Sequence, residues 1–359
     1  METQIMTFLR NTWYVAAWDH ELTQHDMLSR TLLNEPVVLF RDQHGSPVAL
    51  ADRCPHRFAP LSMGTLCDGA VQCRYHGLRF DTTGRCVHNP HAETIPKAAK
   101  VHAYPLVERY SAIWIWTGEP ELADPASIPD YSGLDPETAY VCKDYLHARA
   151  HYMLETDNIL DLSHIEFMHR STLGSPSVRS AETSIEQVGN TVWSRRLTHD
   201  EKLPPFLAQA FRVGPDDLVD RWMDVRWDPP ANMLLLSGVT APGTAPRQVQ
   251  LAHNVHFFTP ETDSTTHYWF AFGFSRAMGE QGQLEANAAT QGVRMPFEYE
   301  DLPMLEAQQK NMRGESFWSL KPVLLVGDAA GVRARRILES LIAAESAQSP
   351  STASAVQTS

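Results

Sequence analysis

Residues 54 to 76 read Cys54-Pro-His56-Arg-Phe-Ala-Pro-Leu-Ser-Met-Gly-Thr-Leu-Cys67-Asp-Gly-Ala-Val-Gln-Cys73-Arg-Tyr-His76. Two Cys/His pairs, Cys54 with His56 and Cys73 with His76, are separated by 16 residues, and each is followed by a turn former. Two loops of this kind can converge on one metal centre. Two thiolates and two imidazoles suit either a structural zinc or a [2Fe–2S] cluster in which histidines replace the cysteines on one iron. Spacing favours the cluster: zinc pairs are usually Cys with Cys and His with His, whereas here each loop supplies one sulfur and one nitrogen. Cys67, Cys86 and Cys142 lack partners at ligand spacing and read as small buried hydrophobes.

Around this stretch, Arg30 to about Trp116 alternates in short apolar runs, Pro36 to Phe40, Pro47 to Ala51, Ala70 to Cys73 and Ala112 to Trp116, with turns at His44-Gly45 and Thr83-Gly84. This predicts a small all-β domain over residues 1–120. Four prolines and several aspartates between Glu119 and Pro136 suit a connection. Beyond it the pattern is α+β. A helix is expected from Met153 to Met168, and strands at Thr191 to Thr198, Ala231 to Val239, His253 to Phe258 and His267 to Phe274. Helical runs follow at Leu284 to Asn311 and Val332 to Glu345. Pro296 and Pro303 should break or kink the first of those runs. A second domain then spans 121–345, and the polar residues 346–359 read as a disordered tail.

The chain has 359 residues, a net charge of −13 and five cysteines. Length gives two or three domains, and no apolar run is long enough to span a bilayer. The acidic balance argues against nucleic acid or anionic lipid as partners. The N-terminal stretch with Arg10 lacks a secretion signal's apolar core, and an odd cysteine count disfavours a disulfide framework, so a cytoplasmic protein is expected.

A second constellation lies in Asn158-Ile-Leu-Asp161-Leu-Ser-His164-Ile-Glu-Phe-Met-His169. Side chains five apart on a regular helix diverge by about 140°, so shared ligation by His164 and His169 requires a π-type bulge or an unwound turn. Two histidines plus one carboxylate make the facial triad of mononuclear non-haem Fe(II), which leaves positions open for O2 and substrate. By pattern alone Glu155, Asp161, Glu166, Glu298, Glu300 or Asp301 could be the third ligand. An electron carrier and an O2-activating triad each make the other useful.

On these motifs the chain resembles the Rieske non-haem iron oxygenases, oxygenase-component α subunits. It is most similar to the branch of vanillate O-demethylase, dicamba O-demethylase and toluenesulfonate methyl-monooxygenase. The likeness runs from Arg10-Asn-Thr-Trp-Tyr-Val-Ala-Ala through Cys54-Pro-His-Arg-Phe and Tyr75-His-Gly-Leu to Asp328-Ala-Ala-Gly-Val-Arg-Ala-Arg-Arg. It implies an all-β Rieske [2Fe–2S] domain followed by a helix-grip-like α+β catalytic domain with a twisted antiparallel sheet. Cys54 and Cys73 would hold one cluster iron and His56 and His76 the other. His164, His169 and Asp301 would hold the mononuclear iron, with Glu300 the fallback if the register is off by one.

Asp161 resembles the carboxylate that bridges a mononuclear-site histidine to a cluster histidine, His76, of a neighbouring subunit, which implies a head-to-tail homotrimer. No G-x-G-x-x-G follows a strand, so the electrons must come from a partner. The resemblance implies a separate flavin and ferredoxin-type reductase fed by NAD(P)H.

The expected activity is that of a terminal monooxygenase on a small aromatic acid, O-demethylating a vanillate-like methoxybenzoate with release of formaldehyde. Aryl-methyl or ring hydroxylation is the alternative. His267 aligns with a histidine that lies near the acid's carboxylate in related demethylases, and Leu235 stands where one of them has a polar pocket residue.

Overall fold

The computed structural model describes residues 7–244 and 252–348. Short strands fill the N-terminal third: β1 (Trp13–Trp18), β2 (Leu28–Leu32), β3 (Glu35–Arg41), β4 (Pro47–Ala51), β5 (Thr65–Cys67), β6 (Ala70–Gln72), β7 (Arg79–Phe80), β8 (Cys86–His88), β9 (Ala103–Tyr104), β10 (Leu106–Arg109) and β11 (Ala112–Trp116). They form sheets ordered β2-β3-β4-β9, β5-β6-β7-β8 and β1-β11-β10. Single 3₁₀ turns at Pro120–Leu122, Pro125–Ser127 and Ser132–Leu134 carry the proline-rich connection.

A seven-stranded antiparallel sheet follows, made of β12 (Ala139–Ala148), β13 (Glu182–Val188), β14 (Thr191–Lys202), β15 (Leu218–Asp228), β16 (Asn232–Thr240), β17 (Ala252–Thr262) and β18 (Thr265–Ser275). Its order is β12-β18-β17-β16-β15-β14-β13. The helices are α1 (Tyr152–Leu160), α2 (Ile165–Met168), α3 (Pro205–Phe211), α4 (Glu280–Pro296), α5 (Leu302–Met312) and α6 (Ala329–Gln348). An N-terminal all-β part and a mixed part with a large antiparallel sheet are therefore observed. Helix α6 continues through Gln348, three residues into the stretch expected to be tail; residues 349–359 lie outside the described residues.

Side-chain alternation on β17 and β18 gives the large sheet two different jobs. One face, with Val255, Phe257, Trp269 and Ala271, shares a core with Trp13, Val15, Trp18 and Trp114 of the N-terminal part. The Trp114 and Phe257 rings meet edge to face, centroids 5.1 Å apart. Burying each such aromatic contributes about 1.5–3 kcal/mol. The opposite face, with Phe258, Tyr268, Phe270 and Phe272, packs with Ile159 of α1 and Val293 of α4. No helix among the described residues is long and apolar enough to cross a membrane.

Of the two prolines expected to interrupt the run, only Pro296 falls at an irregularity. Pro296 closes α4, and the next turn, Phe297–Asp301, is a π-helix. A proline lacks the N–H that would continue the helical ladder, so the carbonyl four residues back is freed and a wider turn forms. Pro303 sits in the first turn of α5, where its missing N–H costs nothing.

Candidate metal centres and cavity

The two Cys/His loops are structural twins. The Cys54 amide donates to the Ala59 carbonyl and the Phe58 amide to the Cys54 carbonyl; the Cys73 amide donates to Leu78 and the Gly77 amide to Cys73 in the same pattern. Phe58 (φ +59°) and Gly77 (φ +74°) occupy equivalent left-handed positions that close the turns. Glycine reaches such a φ without strain, whereas Phe58 is held there by its loop.

The turns bury both thiols at 2% exposure and bring the His56 and His76 rings to 4.4 Å between centroids. Burial, with Cys73 alongside, pushes the Cys54 thiol up to about 11. Two buried sulfurs and two paired imidazoles at the surface fit a cluster with one iron on sulfur and one on nitrogen. His91, which the sequence left without a role, bonds through Nε2 to the His76 carbonyl at 3.0 Å. Cys67, Cys86 and Cys142 are free thiols, Cys86 buried and the other two half-buried.

The second constellation also converges. Helix α1 stops at Leu160 because Asp161 is extended (φ −115°, ψ 92°) and its carboxylate caps the Ser163 amide of the 3₁₀ turn Leu162–His164. The two histidines flank the single turn α2, which is entered from the 3₁₀ turn at His164 and left at a non-helical His169 (φ −111°, ψ 35°), so an irregular last turn rather than a bulge lets side chains five apart converge. The His164 Nδ1 lies 2.8 Å from the Asp161 carbonyl, and the His169 Nδ1 is bonded to the Glu300 carboxylate. Carbonyl and carboxylate oxygens only accept, so both Nδ1 atoms carry the proton and both Nε2 lone pairs are free for a metal.

The Nε2 atoms stand 3.5 Å (His164) and 3.2 Å (His169) from Asp301 Oδ1, and the three candidate ligand atoms all lie within 4.8 Å of one another. Ligands about 2.1 Å from one ion at right angles stand about 3 Å apart, so this donor set fits a single ion. Asp301 is the convergent carboxylate; Glu300, the alternative register, is instead the outer partner of His169. Burial, against the pull of Asp301, lowers the His164 pKa. At His169 burial acts the same way, but the contacts with Asp301 and Glu300 outweigh it and raise the pKa.

Asp161 meets His164 through its main-chain carbonyl, not through its carboxylate. The carboxylate is taken by Ser163 and by Arg196 at 3.2 Å, and Gly327 packs so tightly on it that a Cβ there would come within 2.4 Å.

The candidate triad opens on a cavity of about 700 Å³ lined by α1, α3, α4 and the inner face of β16–β18. Phe206, Phe211, Phe272, Phe274 and Leu235 make much of its wall. Leu235 lines this cavity, and His267 does not. Even-numbered residues of β18 face the cavity and odd-numbered ones the N-terminal part, so His267 points away. Its Nε2 donates to the Thr31 carbonyl at 3.0 Å and its Nδ1 accepts from the Tyr145 hydroxyl at 2.8 Å.

The histidine on the cavity wall is His256 of β17, paired in register with Phe270. Burial pushes its pKa down to about 3, its Nδ1 contacts the Tyr268 hydroxyl at 2.7 Å, and its Nε2 has no partner among the described residues. Counting strand parity from Leu235 across its register partner Asn254 would have found it.

Comparison with known proteins agrees with this geometry. Residues 12–105 match the Rieske [2Fe-2S] domain and residues 148–344 the vanillate O-demethylase oxygenase C-terminal domain. The chain belongs to the Rieske oxygenases of the vanillate O-demethylase type. It is 38% identical over 342 residues to the oxygenase component of chloroacetanilide N-alkylformylase from Rhizorhabdus wittichii, covering 94% of this chain and 97% of that one. It is also 38% identical over 344 residues to the oxygenase component of dicamba O-demethylase from Stenotrophomonas maltophilia, covering 95% and 100%. Among solved structures, dicamba monooxygenase bound to 3,6-dichlorosalicylic acid superposes with a TM-score of 0.88 at 34% identity, covering 95% of this chain and 100% of that one. A Rieske cluster and a mononuclear iron are the family's cofactors, and the two convergent donor sets supply a place for each.

Proposed function

We propose that this Rieske oxygenase is the terminal component of an O-demethylase acting on a small methoxylated aromatic acid, a vanillate-like methoxybenzoate. The observation that carries the reading is the convergence of two Nε2 lone pairs and Asp301 at the wall of a large apolar cavity. Cys54, His56, Cys73 and His76 hold the cluster, and His164, His169 and Asp301 the iron. When bound, the cluster supplies single electrons and the iron the centre for O2 activation.

The chain's own residues do the rest. Glu300 and the Asp161 carbonyl hold the two imidazoles in the tautomer that ligates. The phenylalanine wall excludes water and packs an aromatic ring. Among the described lining residues both guanidiniums are committed, Arg221 to Glu201 at 2.8 Å and Arg212 to Glu285. An acid headgroup is then met by neutral His256: its Nδ1 accepts from the Tyr268 hydroxyl, so the buried Nε2, without a partner among the described residues, carries the proton to donate. Oxidation of the methoxy carbon gives a hemiacetal that expels formaldehyde.

Electrons come from a separate NAD(P)H-dependent reductase. A homotrimer would set Asp161 against a cluster histidine of a neighbouring copy, with the Asp161 main-chain carbonyl on His164 completing the link between the two sites. Two groups of exposed apolar side chains support such an interface. Phe58 (70% exposed), Met63 and Tyr75 surround the cluster loops, and Phe167 with Val323, Leu325 and Val326 (91%) lie close to Asp161 in sequence or beyond its neighbour Gly327. Exposed patches of this kind mark interaction surfaces.

The test is turnover with a reductase, NADH and a panel of methoxybenzoates. One formaldehyde per phenol formed supports the reading; a product that keeps its methoxy group and gains a ring or methyl hydroxyl replaces it with the hydroxylase alternative. Light scattering on the purified protein reads the trimer.

A further inference from the structure

Asp301 borders a second void besides the main cavity. This void has a volume of about 10 Å³ and is shared by Glu155, Asn158, Tyr268 and Asp301 within an apolar shell that includes Phe258, Phe297 and Leu305. Ten cubic ångströms is the lower bound for one water, which also needs two to four polar partners. Glu155 is 2% exposed, and neither of its carboxyl oxygens has a partner among the described residues. Its side chain therefore needs a polar partner within this space. A buried acid with nothing to bond is costly, and a leucine of similar size would fit this shell better.

We propose that this void holds one ordered water joining Glu155, Tyr268 and Asp301, and that Glu155 is thereby a positioning residue for the carboxylate of the iron triad. Asp301 closes the π turn after α4 and already accepts from Asn158 Nδ2 at 3.0 Å. Asn158 lies one turn beyond Glu155 on α1, so a single helix face would hold Asp301 directly and through water. Ligating carboxylates are usually fixed by such partners, whose loss costs about 10–100-fold in metal affinity. The inference rests on Asp301 being an iron ligand.

Two measurements test it. A high-resolution crystal structure of the iron-loaded protein should show water density within hydrogen-bond reach of Glu155, Tyr268 and Asp301; a dry void overturns the proposal. Iron(II) retention against a chelator is then compared in the wild type, Glu155→Gln, Glu155→Leu and Asp301→Ala. Glu155→Leu should weaken retention by about 10–100-fold with no loss of melting temperature, while Glu155→Gln, which can still bond the water, should stay close to wild type. Wild-type retention in Glu155→Leu, with iron lost from Asp301→Ala, removes the proposal and leaves the triad standing. Iron retained by Asp301→Ala removes the triad reading itself. If Glu155→Leu does not fold, the wild-type water site decides.

Discussion

His169 is gripped from both ends by consecutive residues: its Nε2 stands 3.2 Å from Asp301 while its Nδ1 bonds Glu300, 131 positions away in the chain. The π turn Phe297–Asp301 carries both carboxylates to the same imidazole. One stands with both imidazoles as a candidate ligand and the other fixes the tautomer.

Glu300 and Asp301 should therefore fail differently. Asp301→Ala loses the mononuclear iron, lowering iron from about three to about two per chain. Glu300→Ala frees the His169 Nδ1 and weakens iron binding by about 10–100-fold. Both variants keep the cluster's visible spectrum, and iron analysis beside that spectrum checks the pair.

The thiols divide in the same way. Cys54→Ser and Cys73→Ser should give colourless or unstable protein, because each removes a sulfur from a twinned loop. Cys67→Ser, Cys86→Ser and Cys142→Ser should keep the wild-type spectrum and sulfide content.

Asp161→Asn should keep both metals, because the main-chain carbonyl that orients His164 is untouched. Product formation should nonetheless fall by about 100-fold through loss of the carboxylate charge proposed to link the two sites. A single-turnover experiment following cluster reoxidation checks this, and full-rate reoxidation would refute the bridge.

His256 should take the substrate role that the resemblance implied for His267. His256→Ala is expected to raise KM by about 10-fold, the worth of one hydrogen bond to substrate. His267→Ala leaves KM unchanged and lowers the melting temperature, since it unties Thr31 from β18. Steady-state kinetics and thermal melts on both variants separate the two.

His267 also sets a pH dependence. Burial pushes its pKa from 6.5 down to about 4. The unfolded chain then binds more protons than the native one across that interval, so the stability contributed by neutral His267 is complete above pH 6.5 and is lost as pH falls towards 4. Melting temperature measured over this range should fall less steeply in His267→Gln than in the wild type.

Much of this was legible because ligand chemistry is local. Cys54-x-His56 and Cys73-x-x-His76 specify a centre within two loops, and His164 with His169 announced that a helix had to break. What the sequence hid was parity and charge. Strand β15 reads as polar because Asp220 and Arg221 lie within it, yet both are buried: Arg221 against Glu201, Asp220 beneath the amides of Asp200 and Gly243. Strand β12 is obscured similarly by Lys143 and Asp144 at its centre, which are half-buried and paired with Asp19 and Arg294. The resemblance points to His267, but one residue of offset along a strand exchanges one face for the other. The carboxylate was left open by pattern alone because only the π turn distinguishes Glu300 from Asp301.

The tryptophan-rich layer between the N-terminal strands and the large sheet has a practical and historical consequence. An electron-carrying module grafted from a distant relative would arrive with the wrong knobs for Phe257 and Trp269, and one expressed by itself would leave Trp13, Trp18 and Trp114 bare. Chimeras of this enzyme should therefore be spliced with the facing strands included, and its two halves are expected to have diversified in step rather than by shuffling.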